Sequence, residues 1–434
     1  MPPTDPVWPA ETWPDQMRPD RLRIFRSRAA GLDVHKAQIT ATVRLCAPDG
    51  SEPRAATREF SSLARGLAEM TAWLRSHDVQ CATMEGTGIY WLQPYEALED
   101  AGIPVELVHA QQVRQIKGRK TDVSDSIWLA RVCQYGLATP SLIPPRDFRA
   151  LRFLSRYRRK LIAERSRVRN RIHKLIDRCG VRVGVALTDI FGRNGRRILD
   201  GLVNGEDPQQ ILDSLTVHVR SKLATVADIL EAKLDPQSLW LLNDMLAAAD
   251  AVSERIQHAG DLLEAGLAPY ERSLRLLETL PGVGRDSACE ILVETGPDIG
   301  VFPSSSRFAA WAGLCPGNSE SGGKRASGRA RRGNAALRAV LTECALGAAR
   351  TQHCQFRGFH KALTVRRGYK RATLATAHKM SRCIYAVLRD NKPYQDPETD
   401  YEQLLVARNA PRWIQQLQKY GFLKELNLPS TRPA

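Results

Sequence analysis

Between Gln38 and Cys46 the chain alternates. Ile39, Ala41, Val43 and Leu45 fall on one side, and the run closes at Ala47-Pro48-Asp49-Gly50. A period of two ending in a Pro/Gly turn predicts a half-buried strand. The apolar stretch Ala29 to Val34 predicts a strand before it, and Arg54 to Phe60 one after it. The period then changes: Leu63, Leu67, Met70 and Leu74 recur at spacings of three and four, predicting a helix over Ser61 to His77. Val79 to Met84 predicts a short buried strand, Ile89 to Ala101 a helix, and Ile103 to Val108 a further strand.

Three antiparallel-looking strands followed by helix, strand, helix and strand is the order of a RuvC-like or ribonuclease-H-like α/β domain, placed here over residues 27–145 behind a proline-rich flexible leader at 1–26. A basic helical and coiled-coil region over 146–270 follows. Leu151, Leu154, Tyr157, Leu161, Val168, Ile172 and Ile176 form one apolar seam in a long helix or helix pair. Leu239, Leu242, Leu246, Ala249, Val252, Ile256, Ala259 and Leu263 form a second, suited to an antiparallel pair within the chain or to a contact with another subunit. Gly180 to Pro208 reads as a less regular connection. Residues 271–390 read as a mostly helical domain and 391–434 as a tail, so the fold class is α/β plus α.

Charge narrows the function. The 434 residues carry 63 Lys and Arg against 47 Asp and Glu, a net +16, which favours a polyanionic partner, nucleic acid before a membrane surface. No apolar run approaches the roughly 20 residues of a spanning helix. The nine cysteines are scattered singly, which reads as reduced thiols in a cytoplasmic protein; His353, Cys354, Cys344 and His360 match no common zinc spacing. From Asp147 to Arg178 the sign imbalance is extreme, and Arg156, Arg159, Lys160, Arg167 and Arg171 are expected to lie along phosphates.

Chemistry concentrates at four acids. In Gly118 to Trp128, Asp122 and Asp125 stand three apart behind Lys117, Arg119 and Lys120. A helix starting near Thr121 puts both carboxylates on one face of its first turn. Alone, the stretch reads more readily as a helix start, with Thr121 or Asp122 as N-cap and Asp125 favoured by the helix dipole. Asp33 at the end of the first strand and Glu85 at the end of the fourth turn it into an Asp, Glu, Asp, Asp set suited to a hard divalent cation, Mg²⁺ or Mn²⁺.

Two further stretches address phosphate. Leu280-Pro281-Gly282-Val283-Gly284-Arg285 has the form of a helix-hairpin-helix turn, in which Gly282 and Gly284 turn backbone amides toward a phosphate. Downstream, Ser319 and Ser321 precede Gly322, Gly323, Lys324, Arg325 and Arg329, a hydroxyl on an exposed, adaptable backbone among cations.

Gly31-Leu32-Asp33-Val34-His35-Lys36, Met84-Glu85-Gly86-Thr87-Gly88, Arg119 to Asp125, Leu280 to Gly284 and Ser321-Gly322-Gly323-Lys324 together resemble the insertion sequence one-ten family of DEDD transposases. The resemblance implies a recombinase with a RuvC-like domain at the amino end and a serine-bearing domain at the carboxy end. It implies a metal site at Asp33, Glu85, Asp122 and Asp125, and Ser321 as nucleophile, with Ser319 the substitute. It also implies donor and target DNA, a structured bridge RNA as guide, and a homo-oligomer, dimer or tetramer, at the prokaryotic nucleoid. Two other readings use the same residues: a RuvC-like nuclease activating water, and a catalytically silent nucleic-acid-binding protein.

Overall fold

The computed structural model describes residues 24–46, 54–86, 88–109, 113, 125–232, 234–317, 319–321, 324–327, 330, 333–397 and 401–423. The chain divides into two compact units, Met1–Ile143 and Pro144–Ala434.

In the first unit the predicted strands form β1 (Arg28–Val34), β2 (Gln38–Leu45), β3 (Arg54–Ser61), β4 (Cys81–Glu85) and β5 (Val105–Val108), with α1 (Ala64–Ser76), α2 (Leu92–Asp100) and α3 (Asp125–Tyr135). They join in one sheet of order β3-β2-β1-β4-β5, antiparallel from β3 to β1 and parallel from β1 to β5. The alternation decides the faces. Ala30, Leu32 and Val34 of β1 and Ile39, Ala41 and Val43 of β2 form a core with Leu67, Met70 and Leu74 of α1 and Leu98 of α2. On the opposite face lie Ala29, Gly31 and Asp33, with α3 laid across them.

The second unit is helical apart from one hairpin: α4 (Arg146–Arg178), α5 (Val183–Ala186), α6 (Arg193–Asn204), α7 (Pro208–Asp213), α8 (Leu223–Leu230), α9 (Pro236–Leu267), α10 (Glu271–Glu278), α11 (Arg285–Thr295), α12 (Ser305–Trp311), β6 (Ser319–Ser321), β7 (Lys324–Ser327), α13 (Ala335–Ala348), α14 (Gln355–Arg367), α15 (Tyr369–Asp390) and α16 (Tyr401–Lys419). The basic stretch is one continuous helix of 33 residues, about 50 Å long.

Both apolar seams are used inside the chain. Leu161 packs with Val252 and Ile256, and Val168, Ile172 and Ile176 pack with Leu242, Leu246 and Ala249. The seam of α9 therefore faces α4, so of its two expected uses the structure shows the pairing within the chain rather than the contact with another subunit. The stretch taken as an irregular connection contains α6, whose Ile198 and Leu199 are fully buried. No helix among the described residues is long and apolar enough to cross a membrane.

Candidate active site

The sheet carries Asp33 and Glu85 to one edge. Strands β1 and β4 run parallel with Leu32 opposite Met84, so the next residues of the two strands, Asp33 and Glu85, leave the sheet side by side at its carboxyl end. Helix α3 reaches the same edge. Gly31 has no side chain, and the helix backbone at Ser126, Leu129 and Ala130 fills the space where one would stand. Thr42 Oγ1 meets Ser126 Oγ at 2.9 Å and Arg44 Nε donates to Gln134 Oε1 at 2.9 Å, so α3 runs antiparallel to β1. Its first residue, Asp125, thereby stands over the carboxyl end of the strand that bears Asp33.

Local electrostatics are mixed. The Asp33 side chain is 29% exposed and lies 3.3 Å from His35 Nε2. Farther along α3, burial pushes Arg131 down to about 10, with the nearby charge of Arg44 acting the same way. No three acids of the predicted set bring carboxylate oxygens within 4.8 Å of one another among the described residues. Asp122, Lys117, Arg119 and Lys120 lie outside those residues. The donor chemistry of the edge, carboxylate oxygen throughout, fits a hard cation.

Cys81, Glu106 and Cys133 do bring ligand atoms within 4.8 Å of one another, at the other end of the sheet. Arg26 already supplies a cation there. Its guanidinium pairs with both oxygens of Glu106, at 3.2 Å for Nη1 to Oε2, and donates to the Cys133 carbonyl at 3.0 Å. The hydrogen bond between the thiols lowers Cys133 and raises Cys81. The cluster is an internal staple between the sheet and α3, and its scattered cysteines gave no spacing signal in the sequence. Two of the four residues weighed for zinc spacing have other partners: His360 Nε2 meets Thr373 Oγ1 at 3.1 Å, and Cys354 Sγ donates to the Ala348 carbonyl at 3.3 Å.

In the second unit, Ser319 and Ser321 belong to β6, and Ser321 pairs in register with Lys324 of β7. The backbone here forms a β-hairpin, which Pro316 and Ala330 extend by an isolated antiparallel bridge at its root. Lys324 and Arg325 lie on β7, while Arg329 falls outside the described residues. Gly282 has φ 81°, and a β-carbon on it would lie 2.4 Å from the Cys344 carbonyl oxygen and the Ala348 amide of α13. Packing against α13 therefore accounts for Gly282, whereas the space beside Gly284, at the start of α11, is open.

The cations of α4 fall into two sets. Arg156 donates to both oxygens of buried Glu294 at 2.8 and 2.9 Å, and Arg152 donates to its carbonyl at 2.7 Å. Arg159 pairs with Glu290 and Glu343, and Arg158 with Asp286 at 2.8 Å. Arg156 and Arg159 are thus engaged by acids of α11 and α13. Lys160, Arg167 and Arg171 are exposed, share one stripe with Lys174 and Arg178, and have no ion-pair partner among the described residues.

Comparison with known proteins settles the family. Residues 30–180 match the DEDD transposase profile of the IS110 group, and residues 274–361 match the profile described as transposase IS116/IS110/IS902 family. The chain belongs to the IS110 family of transposases. The first match covers most of the sheet, α3 and α4; the second runs from α10 into α14 and includes the serine hairpin. The transposase is 26% identical over 340 residues, 76% of its own length and 83% of the relative's, to the transposase for insertion sequence element IS1111A of Coxiella burnetii. It is 28% identical over 254 residues, 57% of its length and 65% of the relative's, to the transposase for IS1328 of Yersinia enterocolitica. A pilin gene-inverting protein of Moraxella bovis is 23% identical over 354 residues, 77% of this chain and 89% of the relative.

Proposed function

We propose that this transposase cuts and rejoins the DNA of an insertion sequence with a RuvC-like acidic site and a serine nucleophile. Asp33, Glu85, Asp122 and Asp125 hold the metal, and Ser321 attacks a phosphodiester. The observation that carries this reading is the shared edge: parallel β1 and β4 bring Asp33 and Glu85 to neighbouring strand ends, and Gly31 admits α3 closely enough that its first residue, Asp125, lies toward the same end of β1. The sheet order β3-β2-β1-β4-β5 supports the ribonuclease-H-like layout.

Mg²⁺ or Mn²⁺ at that edge would neutralise phosphate charge and make a serine hydroxyl, weak at neutral pH, an effective nucleophile. Lys324 and Arg325, paired across the hairpin from Ser321 and Glu320, supply phosphate contacts to the strand under attack. Lys160, Arg167 and Arg171 hold nucleic acid through its backbone and read no bases, which agrees with selection of donor and target by a structured bridge RNA. A homo-oligomer remains part of the reading, through surfaces other than the α4–α9 seam; the outer face of α9 leaves Trp240 66% and Leu262 47% exposed.

Trapping a covalent protein–DNA adduct tests the serine. Ser321→Ala is expected to abolish adduct and joined product while Ser319→Ala retains both; a Ser321→Ala protein that still cleaves and joins sinks the mechanism. Asp33→Asn and Asp122→Asn variants that recombine DNA as well as the parent would refute the metal site.

A further inference from the structure

A cavity of about 530 Å³ lies in the second unit between α14, α15, α16 and the root of the serine hairpin. That size falls within the roughly 300–1,000 Å³ of typical ligand pockets. Its long wall is one face of α15. Arg371, Leu374, Ala375, His378, Lys379 and Arg382 line it at spacings of three and four, a single stripe over three turns in which cations and apolar groups are interleaved.

Aromatic rings face this stripe. Phe359 of α14 and Tyr401 of α16 both line the cavity, with Lys379 Nζ 5.0 Å from the first ring centroid and 4.7 Å from the second. Lys379 also donates to the Tyr401 hydroxyl, which fixes the ring. Burial pushes His378 below its ordinary value, helped by the charge of Arg382, so at neutral pH its imidazole is uncharged and free to hydrogen-bond. Arg371 and Arg382 are exposed and have no ion-pair partner among the described residues. The remaining wall is Leu314 together with Pro316 and Ala330, the two residues bridged at the hairpin root.

Apolar and aromatic walls with two unpaired guanidinium groups suit a ligand that is flat and apolar at one end and anionic at the other. We propose that the cavity takes one unpaired nucleotide of the DNA strand that passes the β6–β7 hairpin, its base against Phe359 and Tyr401 and its flanking phosphates on Arg371 and Arg382. The choice of DNA rests on the reading of Ser321 as the attacking residue. Because the hairpin root and the cavity wall share Pro316 and Ala330, a strand presented to β6 crosses the mouth of the cavity. Holding one of its nucleotides there sets the register of the strand against the serine.

Fluorescence anisotropy with the full chain tests this, using labelled oligo(dT), labelled oligo(U) and a labelled DNA duplex. Ala375→Trp fills the cavity without removing a charge, and Phe359→Leu removes a ring while keeping an apolar group. Each is expected to weaken oligo(dT) binding about tenfold, a typical effect of losing one base–aromatic stack, and to leave duplex affinity unchanged. Arg371→Gln and Arg382→Gln, exposed changes that spare the fold, are each expected to reduce the salt slope for oligo(dT) by about 0.7. Melting curves identify any variant that fails to fold, and the arginine pair then carries the test.

Unchanged oligo(dT) affinity in the folded cavity variants overturns the proposal, and so does an equal loss on single strand and duplex. Loss on oligo(U) alone assigns the cavity to RNA and also overturns it. Should Ser321 form no adduct while the oligo(dT) losses persist, the single-strand site stands and the reading of the serine falls separately.

Discussion

Gly31 and Ala130 are in backbone contact: a β-carbon on Gly31 would lie 2.1 Å from the Ala130 amide nitrogen. It would also lie 2.2 Å from the Ser126 carbonyl oxygen, so no rotamer change relieves the clash. The two residues set how closely α3 approaches β1, and hence where Asp125 stands relative to Asp33. Overpacking costs about 1–3 kcal/mol where side chains can yield. Gly31→Ala meets main chain and is expected to cost about 3 kcal/mol or more, read as a lowered denaturant midpoint; an unshifted midpoint would show that α3 does not rest on β1.

Glu294 is a buried carboxylate serving three partners, its side chain only 2% exposed. Besides Arg152 and Arg156 it accepts from Asn334 Nδ2 at 2.7 Å, and Asn334 in turn caps α13 through its Oδ1. Removing one member of a buried ion pair costs about 3–5 kcal/mol because the other charge is stranded. Glu294→Ala is expected to destabilise by about that much in chemical unfolding. Arg156→Gln, at the exposed side of the pair, is expected to cost less.

The two sets of α4 cations separate in a salt titration. Changing Lys160, Arg167 and Arg171 together to Gln is expected to lower the slope of log affinity for duplex DNA against log salt by about 3, with stability unchanged. Arg159→Gln is expected to do the reverse, leaving the slope and lowering stability, because its partners Glu290 and Glu343 belong to the fold. Equal slopes for parent and triple variant would remove the stripe from the nucleic-acid surface.

Acid should weaken one surface link. The hydrogen bond from Arg285 holds Glu271 below its ordinary 4.5. A carboxylate whose folded value is depressed adds stability above its ordinary pKa and loses it as pH falls through the folded value. Parent and Arg285→Gln are therefore expected to differ in melting temperature at pH 7 and to converge as pH drops below 4.5. A gap that persists in acid would assign the contribution of Arg285 to something other than Glu271.

Periodicity made most of the fold legible. Ile39 to Leu45 and Leu63 to Leu74 announce their elements because each buries one face, and burial is what periodicity records. The hairpin at Ser321 escaped because its strands have three and four residues, too few to establish a period. Its one signal was the Gly322-Gly323 pair, a pairing that two-residue hairpin loops favour. Long-range pairing was illegible for a different reason: Glu290, Glu294 and Glu343 lie more than a hundred residues from the arginines they neutralise, so a local count of charge overstated what α4 leaves free. At the acidic edge, the approach of Asp33 to Glu85 follows from strand order, whereas the support of Asp125 by Gly31 needed the packing of α3.

The free stripe on α4 has a length as well as a charge. From Lys160 to Arg178 it runs about 27 Å at 1.5 Å per residue, the axial rise of about eight phosphates of one strand of a duplex at 3.4 Å each. Five cations against eight evenly repeating anions make a rail rather than a ruler: a backbone displaced by one phosphate meets the same set of charges. On the function proposed above, such a helix would carry nucleic acid without deciding where it stops, and the stopping point would have to be written in bases.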